Sequence, residues 1–276
     1  GVTHYWLYPL LLSIIIPISI RDRKGIESIL FIWSVFILIA TLKGYWQKNH
    51  GFSDRDRYFL FVLGGYRTHI ILSGIRYFSF FSDAANYGVH TAMAATTFAI
   101  SAFFVRRAWM KLYYIIIAIG AIYCMGISGT RAAMAVPLAG ILMYVFVSKN
   151  WKNITISIIV IIGAFSFFYF TNIGNSNQYI RKMRTAFRPT EDASYLVRVE
   201  NRKKMKELMI DRPLGYGIGL SKGERFEPKE LMPYPPDSWL VSVWVETGIV
   251  GLALYLTVHG VLFAWCSWVL LFKIAN

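Results

Sequence analysis

Seven apolar runs dominate this chain, and any fold must find a solvent for them. They cover residues 5–20, 29–42, 88–105, 112–127, 132–147, 154–170 and 249–271. Several approach or exceed the roughly 20 residues that a helix needs to cross a bilayer. Charged residues make up 16% of the 276, against about 25% in ordinary globular chains. The expectation is an all-α fold, a polytopic transmembrane bundle forming one integral membrane domain over residues 1–276. Cys124 and Cys266 both fall inside apolar runs, where packing explains them better than a disulfide or a metal pair. The chain opens at Gly1 and closes on Lys273-Ile-Ala-Asn276, and further helices are expected beyond both ends.

Charge sets the orientation. The formal net charge is +14, a balance that in a soluble domain would point to nucleic acid. Here the cations sit between apolar runs, where anionic membrane lipids are the natural partner, so no nucleic acid is expected. Lys and Arg accumulate in short cytoplasmic loops. Arg21, Arg23, Lys24, Arg106, Arg107, Lys111, Lys149, Lys152 and Lys273 share one side if every run crosses once. The polar loop 48–86, Arg131 and the long stretch 171–246 then share the opposite, external side. That long stretch is expected to carry short amphipathic helices and to cap an active site.

Within this external set, a few residues can carry chemistry. Arg131 stands between two spans with almost no turn. A guanidinium at the membrane boundary is costly, roughly 2.5–3.5 kcal/mol at a helix centre. It either marks a site or snorkels to headgroups. Residues 194–210 are predicted to form a surface helix with Leu196, Val199, Leu208 and Met209 on its apolar face. On that helix Arg198 and Arg202 are four apart and share a face, and paired guanidinium forks suit a diphosphate. Arg202 also fits a lipid-facing row with Lys203, Lys204 and Lys206. Gly215, Gly217 and Gly219 predict a compact turn and not a dinucleotide loop, since no strand precedes them.

Asp237 precedes a predicted helix and suits a helix N-cap. It also suits a general base that takes a proton from a sugar hydroxyl, while arginines stabilise a departing diphosphate. Ser238, Ser242 and Glu246 recur every four residues along the same face. His69 and His90 flank the first external loop as alternative bases. No histidine has metal-ligand spacing.

Three segments resemble the O-antigen ligase/polymerase superfamily of bacterial envelope enzymes. They are Ser128-Gly-Thr-Arg131, Arg198 followed by Asp211-Arg-Pro-Leu-Gly-Tyr-Gly-Ile-Gly219, and Asp237-Ser-Trp-Leu with Glu246-Thr-Gly-Ile-Val-Gly251. A fourth, Arg76-Tyr-Phe-Ser-Phe-Phe-Ser-Asp83-Ala-Ala-Asn86-Tyr-Gly88, is a weaker match. The resemblance implies a multi-pass glycosyltransferase of the bacterial cytoplasmic membrane, working at its outer face. The donor would be a glycan on undecaprenyl diphosphate and the acceptor a hydroxyl on lipid A core, another repeat unit or another envelope polymer.

Carried onto this chain, the resemblance makes Arg131 and Arg198 catalytic, holding the donor diphosphate, with Asp237 as general base. Arg76, Arg202, Ser238 and Glu246 would bind substrate. Ligases of the superfamily commonly show a His-Asn pair where this chain has Asp237-Ser238, which favours a carboxylate base or a different acceptor. No cofactor and no metal are implied, because arginines can supply the positive charge that magnesium provides elsewhere. The competing class is a transporter or flippase for an anionic lipid-linked sugar. Transporters place polar, broken helices near the midplane, whereas charge here gathers at one face.

Overall fold

The structure is a computed structural model that describes residues 8–20, 22–71, 74–147, 151–187, 193–221, 232–236 and 238–273. It is 78% helical with almost no sheet. The chain divides into two compact units, one of Asp22–Arg188 and one of Gly1–Arg21 with Pro189–Asn276.

The second unit opens with α1 (Tyr8–Ser19). The first unit begins with α2 (Arg23–His50), whose N-cap is Asp22. The loop after α2 holds α3 (Asp54–Arg57), a π turn at Tyr58–Val62 and α4 (Tyr66–His69). An antiparallel pair of two-residue strands, β1 (Ile70–Ile71) and β2 (Gly74–Ile75), completes the loop. Then come α5 (Ala84–Phe104) and α6 (Ala108–Ile127). A 3-10 turn at Arg131–Met134 leads into α7 (Ala135–Val147), followed by α8 (Trp151–Phe170) and α9 (Gln178–Arg184).

Helices occupy all seven apolar runs. Arg23–His50, Ala108–Ile127 and Trp239–Lys273 are long and apolar enough to cross a membrane, and Arg131–Val147 and Ile154–Phe170 are shorter apolar helices. Packing inside the first unit uses small residues. Ala94, Ala95 and Ala102 on α5 lie buried with Ala118 and Ala121 on α6, and small contacts let helix backbones approach closely. Phe98 and Trp33 join this core with ring centroids 5.1 Å apart. Large apolar side chains such as Phe36, Ile119 and Ile159 face outward instead. In water such faces would associate, but hydrocarbon is their proper solvent.

The helix α2 runs further than its apolar core predicts, so that Lys48 belongs to its last turn and not to the following loop. A buried polar network explains the extension. Gln47 on α2 donates to Asp56 Oδ2 at 3.1 Å and accepts from the Ser79 amide at 2.9 Å. Lys43 pairs with Asp56 at 3.0 Å. Burial raises the Asp56 pKa, but hydrogen bonds from Gln47, Lys43 and Ser53 outweigh it and hold the carboxyl below the ordinary aspartate range. The loop therefore satisfies the polar end of α2 side chain by side chain.

In the second unit, α10 (Ala193–Met209) is the predicted surface helix, and of the four residues expected on its apolar face Met209 is buried. Met205 and Met209 are buried with Met232 and Val245, while Leu196 and Leu208 are exposed. Met205 and Met209 are also four apart, and they are the pair that meets a partner. Of the cysteines, Cys124 is buried as expected, whereas Cys266 is exposed on the apolar last helix.

Candidate functional site

The first unit collects its functional residues where helices end. The chain reverses between α6 and α7 through Ser128-Gly-Thr-Arg131, and Gly129 makes this possible with φ +62°. Ser128 Oγ donates to Met125 O at 2.7 Å and accepts from the Thr130 amide at 3.2 Å, which closes the turn on itself. Thr130 Oγ1 donates to Ala84 O at 2.9 Å, tying the turn to the first residue of α5. Gly88 lies one helical turn further along α5, where an added Cβ would overlap Ser128 Oγ.

Arg76 grips this turn from the preceding loop. Its Nε donates to Ser128 O at 3.2 Å, Nη2 to Thr130 Oγ1 at 3.0 Å and Nη1 to Thr68 O at 3.2 Å. Burial pushes the Arg76 guanidinium below its ordinary pKa; Asp83 opposes this and the charge of Arg131 adds to it. Arg76 and Arg131 are thus close enough to repel one another. Asp83 is already engaged as the N-cap of α5, accepting from the amides of Ala85 and Asn86. Arg131 itself donates from Nη1 to Thr185 Oγ1 at 2.8 Å. Lys182 on α9 brings a third cation, because a Cβ placed on Gly129 would stand 3.1 Å from its Nζ and 3.4 Å from Arg76 Cγ.

The helix α9 is held in place by another arginine with a different task. Arg184 is buried and donates to the carbonyls of Phe167 at 3.2 Å, Phe168 at 3.3 Å and Ile173 at 2.6 Å. It also reaches Thr171 Oγ1 at 3.3 Å. The Phe167 and Phe168 carbonyls belong to the last turn of α8 and the other two oxygens to the residues just past it, so Arg184 acts as a C-terminal cap. In fixing α9 it fixes Lys182 and Thr185.

The loop histidines divide. His69 is buried, with Nδ1 2.7 Å from Gly65 O and Nε2 accepting from the Ala84 amide at 3.2 Å. Both ring nitrogens are engaged by backbone, so His69 is a neutral cross-link and not the available base that its position in the loop predicts. Burial holds its pKa below the usual histidine range. His90 is exposed and bonds Asn86 O at 2.8 Å through Nδ1.

The second unit carries the remaining predicted residues. Arg198 and Arg202 lie exposed on α10. The last helix, α11 (Trp239–Trp268), is broken at Gly248, where φ is 68° and ψ −169°. A break frees backbone groups that hydrocarbon cannot satisfy, and the glycine turn supplies them. Tyr216 N donates to Val245 O at 2.8 Å and Gly217 N to Glu246 O at 2.9 Å. A Cβ on Gly215 would lie 2.6 Å from Val245 O, and one on Gly248 would overlap Pro213 O. The segments 211–219 and 246–251 are therefore two halves of one backbone junction.

The break turns α11 sharply. Trp239 Nε1 donates to Tyr255 Oη at 2.9 Å, although 16 residues of straight helix would separate them by roughly 24 Å. The span expected over 249–271 thus starts just past Gly248. Glu246, beside the break, accepts from Ser221 Oγ at 2.5 Å. Ser238 is the N-cap of α11, accepting from the Val241 amide at 3.3 Å. The cap expected at Asp237 is made by its neighbour, and Asp237 itself lies outside the described residues. Sequence reasoning passed over Lys182, Thr130 and Thr185, which become visible as site residues once α9 is docked on the turn.

Apolar outer faces and helix ends gathered round a cationic turn define a helical membrane protein. The O-antigen ligase family model matches residues 116–256, more than half of the chain. The chain belongs to the O-antigen ligase family, which implies ligase- or polymerase-type glycan transfer in a bacterial membrane. The matched segment contains Arg131, Arg198, Asp237 and Glu246, whereas Arg76 lies before it. Comparison with curated proteins and with solved structures gave no match.

Proposed function

We propose that this protein transfers a glycan from undecaprenyl diphosphate to a hydroxyl acceptor at the outer face of the bacterial cytoplasmic membrane. The acceptor is a second repeat unit, the lipid A core or another envelope polymer. The observation that carries this reading is the cationic turn, where Arg76 is fixed by Ser128 O and Thr130 Oγ1 and Arg131 and Lys182 stand beside it, a set that suits an anion. A diphosphate supplies that anion.

In the reaction the acceptor oxygen attacks the anomeric carbon of the donor glycan. The bond from that carbon to the diphosphate oxygen breaks, and its electron pair leaves with undecaprenyl diphosphate. Arg131 and Arg198 stabilise the charge gathering on the leaving group, as preorganised donors do. Arg76, Arg202, Ser238 and Glu246 hold the substrates. The acceptor proton passes to the Asp237 carboxylate, and the capping role that would otherwise account for Asp237 is filled by Ser238. The loop 171–246 closes over this reaction, and the arginine charges stand in for a metal ion.

The test is reconstitution with a polyprenyl-diphosphate oligosaccharide, scoring released polyprenyl diphosphate and product length. A ladder indicates a polymerase and a single shifted acceptor a ligase. Donor that crosses the bilayer unchanged would replace this reading with a transporter. Asp237→Asn is expected to keep donor binding while losing turnover about 10²–10⁴-fold; undiminished turnover would remove Asp237 from the chemistry.

A further inference from the structure

A second cationic feature stands beside the arginine turn, and neither the donor diphosphate nor the fold accounts for it. Lys48, in the last turn of α2, lies over the ring of Tyr123 at 4.9 Å and over that of Tyr179 at 5.1 Å. Among the described residues no carboxylate pairs with it. Tyr123 belongs to the end of α6, one turn before Ser128, and Tyr179 to α9, one turn before Lys182. Tyr77, next to Arg76, approaches Tyr179 with centroids 6.4 Å apart, and Tyr45 approaches Tyr123 at 6.2 Å. Tyr179 Oη also reaches Ile75 O at 3.5 Å. The lysine and the tyrosines are thus continuous with the turn that carries Arg76 and Lys182.

Tyrosines at a membrane boundary commonly form an outward belt at headgroup level, and Tyr45, 53% exposed, fits that description. The others do not. Tyr77 is 8% exposed, Tyr123 and Tyr179 are half-buried, and they face one another across three elements. An ammonium held between ring faces is oriented by them, yet the rings do not replace an anionic partner. Aromatic surface with a polar handle, next to a fixed cation, suits a sugar ring bearing a negative group.

We propose that Lys48, held by Tyr123 and Tyr179, binds an acidic group, a uronate carboxylate or a sugar phosphate, on the glycan whose diphosphate lies at the arginine turn. The site selects anionic repeat units. This proposal rests on the transfer reading and adds the class of glycan to it.

Binding is measured for the full chain in phosphatidylcholine nanodiscs, using a polyprenyl-diphosphate trisaccharide that carries one glucuronate and its glucose counterpart. The acidic donor is expected to bind about tenfold tighter, the increment of one charge-assisted contact. Lys48→Gln should erase the preference and leave the glucose donor's affinity unchanged, while Lys48→Arg should retain it. Equal binding of both donors by the native protein, or equal weakening of both by Lys48→Gln, overturns the subsite and leaves glycan transfer standing. Failure of both donors to bind overturns the transfer reading and the subsite with it. Loss of the preference when phosphatidylglycerol is added assigns Lys48 to a lipid headgroup and also overturns the proposal.

Discussion

Replacing Gly248 by alanine tests whether the glycine turn and the broken last helix form one junction. The backbone at Gly248 lies in a region that is nearly closed to any residue with a Cβ, at a strain of about 1–3 kcal/mol. The new methyl would also overlap Pro213 O, so the turn must retreat from the helix. Retreat opens the bonds from Tyr216 N to Val245 O and from Gly217 N to Glu246 O, each worth about 0.5–1.5 kcal/mol net. Together these predict a loss of about 3 kcal/mol in the local stability of the junction, or roughly 100-fold in its opening equilibrium. Amide hydrogen exchange reads this directly at Tyr216 and Gly217, whose protection should fall by about that factor. Gly260→Ala is the control, because a Cβ there meets nothing within 4 Å and alanine favours a helix over glycine by about 1 kcal/mol. Unchanged protection at Tyr216 and Gly217 in Gly248→Ala would refute the junction.

Arg131→Ala should lower kcat/KM for glycan transfer about 10²–10³-fold and leave thermal stability within a few degrees; a full loss of folded protein would instead make Arg131 structural. His69 binds Ala84 N–H only when neutral, and burial holds its folded pKa below the ordinary histidine value of 6.5. Its stabilisation is therefore fully present above pH 6.5 and is lost as pH falls through the window beneath that value; thermal melts from pH 7.5 down to 5 should show a decline that His69→Gln removes. Turnover in excess EDTA should stay within about twofold of the untreated rate if arginines supply the charge, and collapse with recovery on adding magnesium would overturn that.

Much of the helical plan could be read from apolar periodicity, because a long run of Leu, Ile and Phe has one stable conformation in hydrocarbon. The break before the last span was also readable, since Gly248 and Gly251 precede Leu252 and Leu254. What stayed hidden depended on contacts distant in sequence. The end of α2 looked like loop because Gln47, Lys48 and Asn49 are polar, yet Gln47 is satisfied by Asp56 and Ser79. Likewise, nothing within α10 distinguishes Met205 and Met209 from Leu196 and Leu208 as a buried pair. Met232, Val245 and Tyr216 make the choice from elsewhere in the chain. The glycine turn was recognised as a turn, but its purpose, repairing a helix break, became visible only when both segments were placed.

Arg76, Arg131 and Arg184 show why residue type alone does not assign a role. Arg184 is buried among three carbonyl oxygens and a threonine hydroxyl at and just past the end of α8, where the partial negative charge of a helix C-terminus suits a cation. Its two terminal nitrogens are held by these oxygens, although its buried Nε has no partner among the described residues, and its task is structural. Arg76 also donates three hydrogen bonds, to two carbonyls and a hydroxyl. Those partners fix its orientation but are neutral, and of the charges near it Asp83 supports the guanidinium while Arg131 works against it. Saturating hydrogen bonds is therefore not the same as compensating charge. A guanidinium that is rigidly held beside a second cation is preorganised for an anion, since little side-chain entropy or reorganisation remains to oppose binding. This placement supports the proposal that Arg76, which lies before the family-matched segment, joins Arg131 in binding the donor.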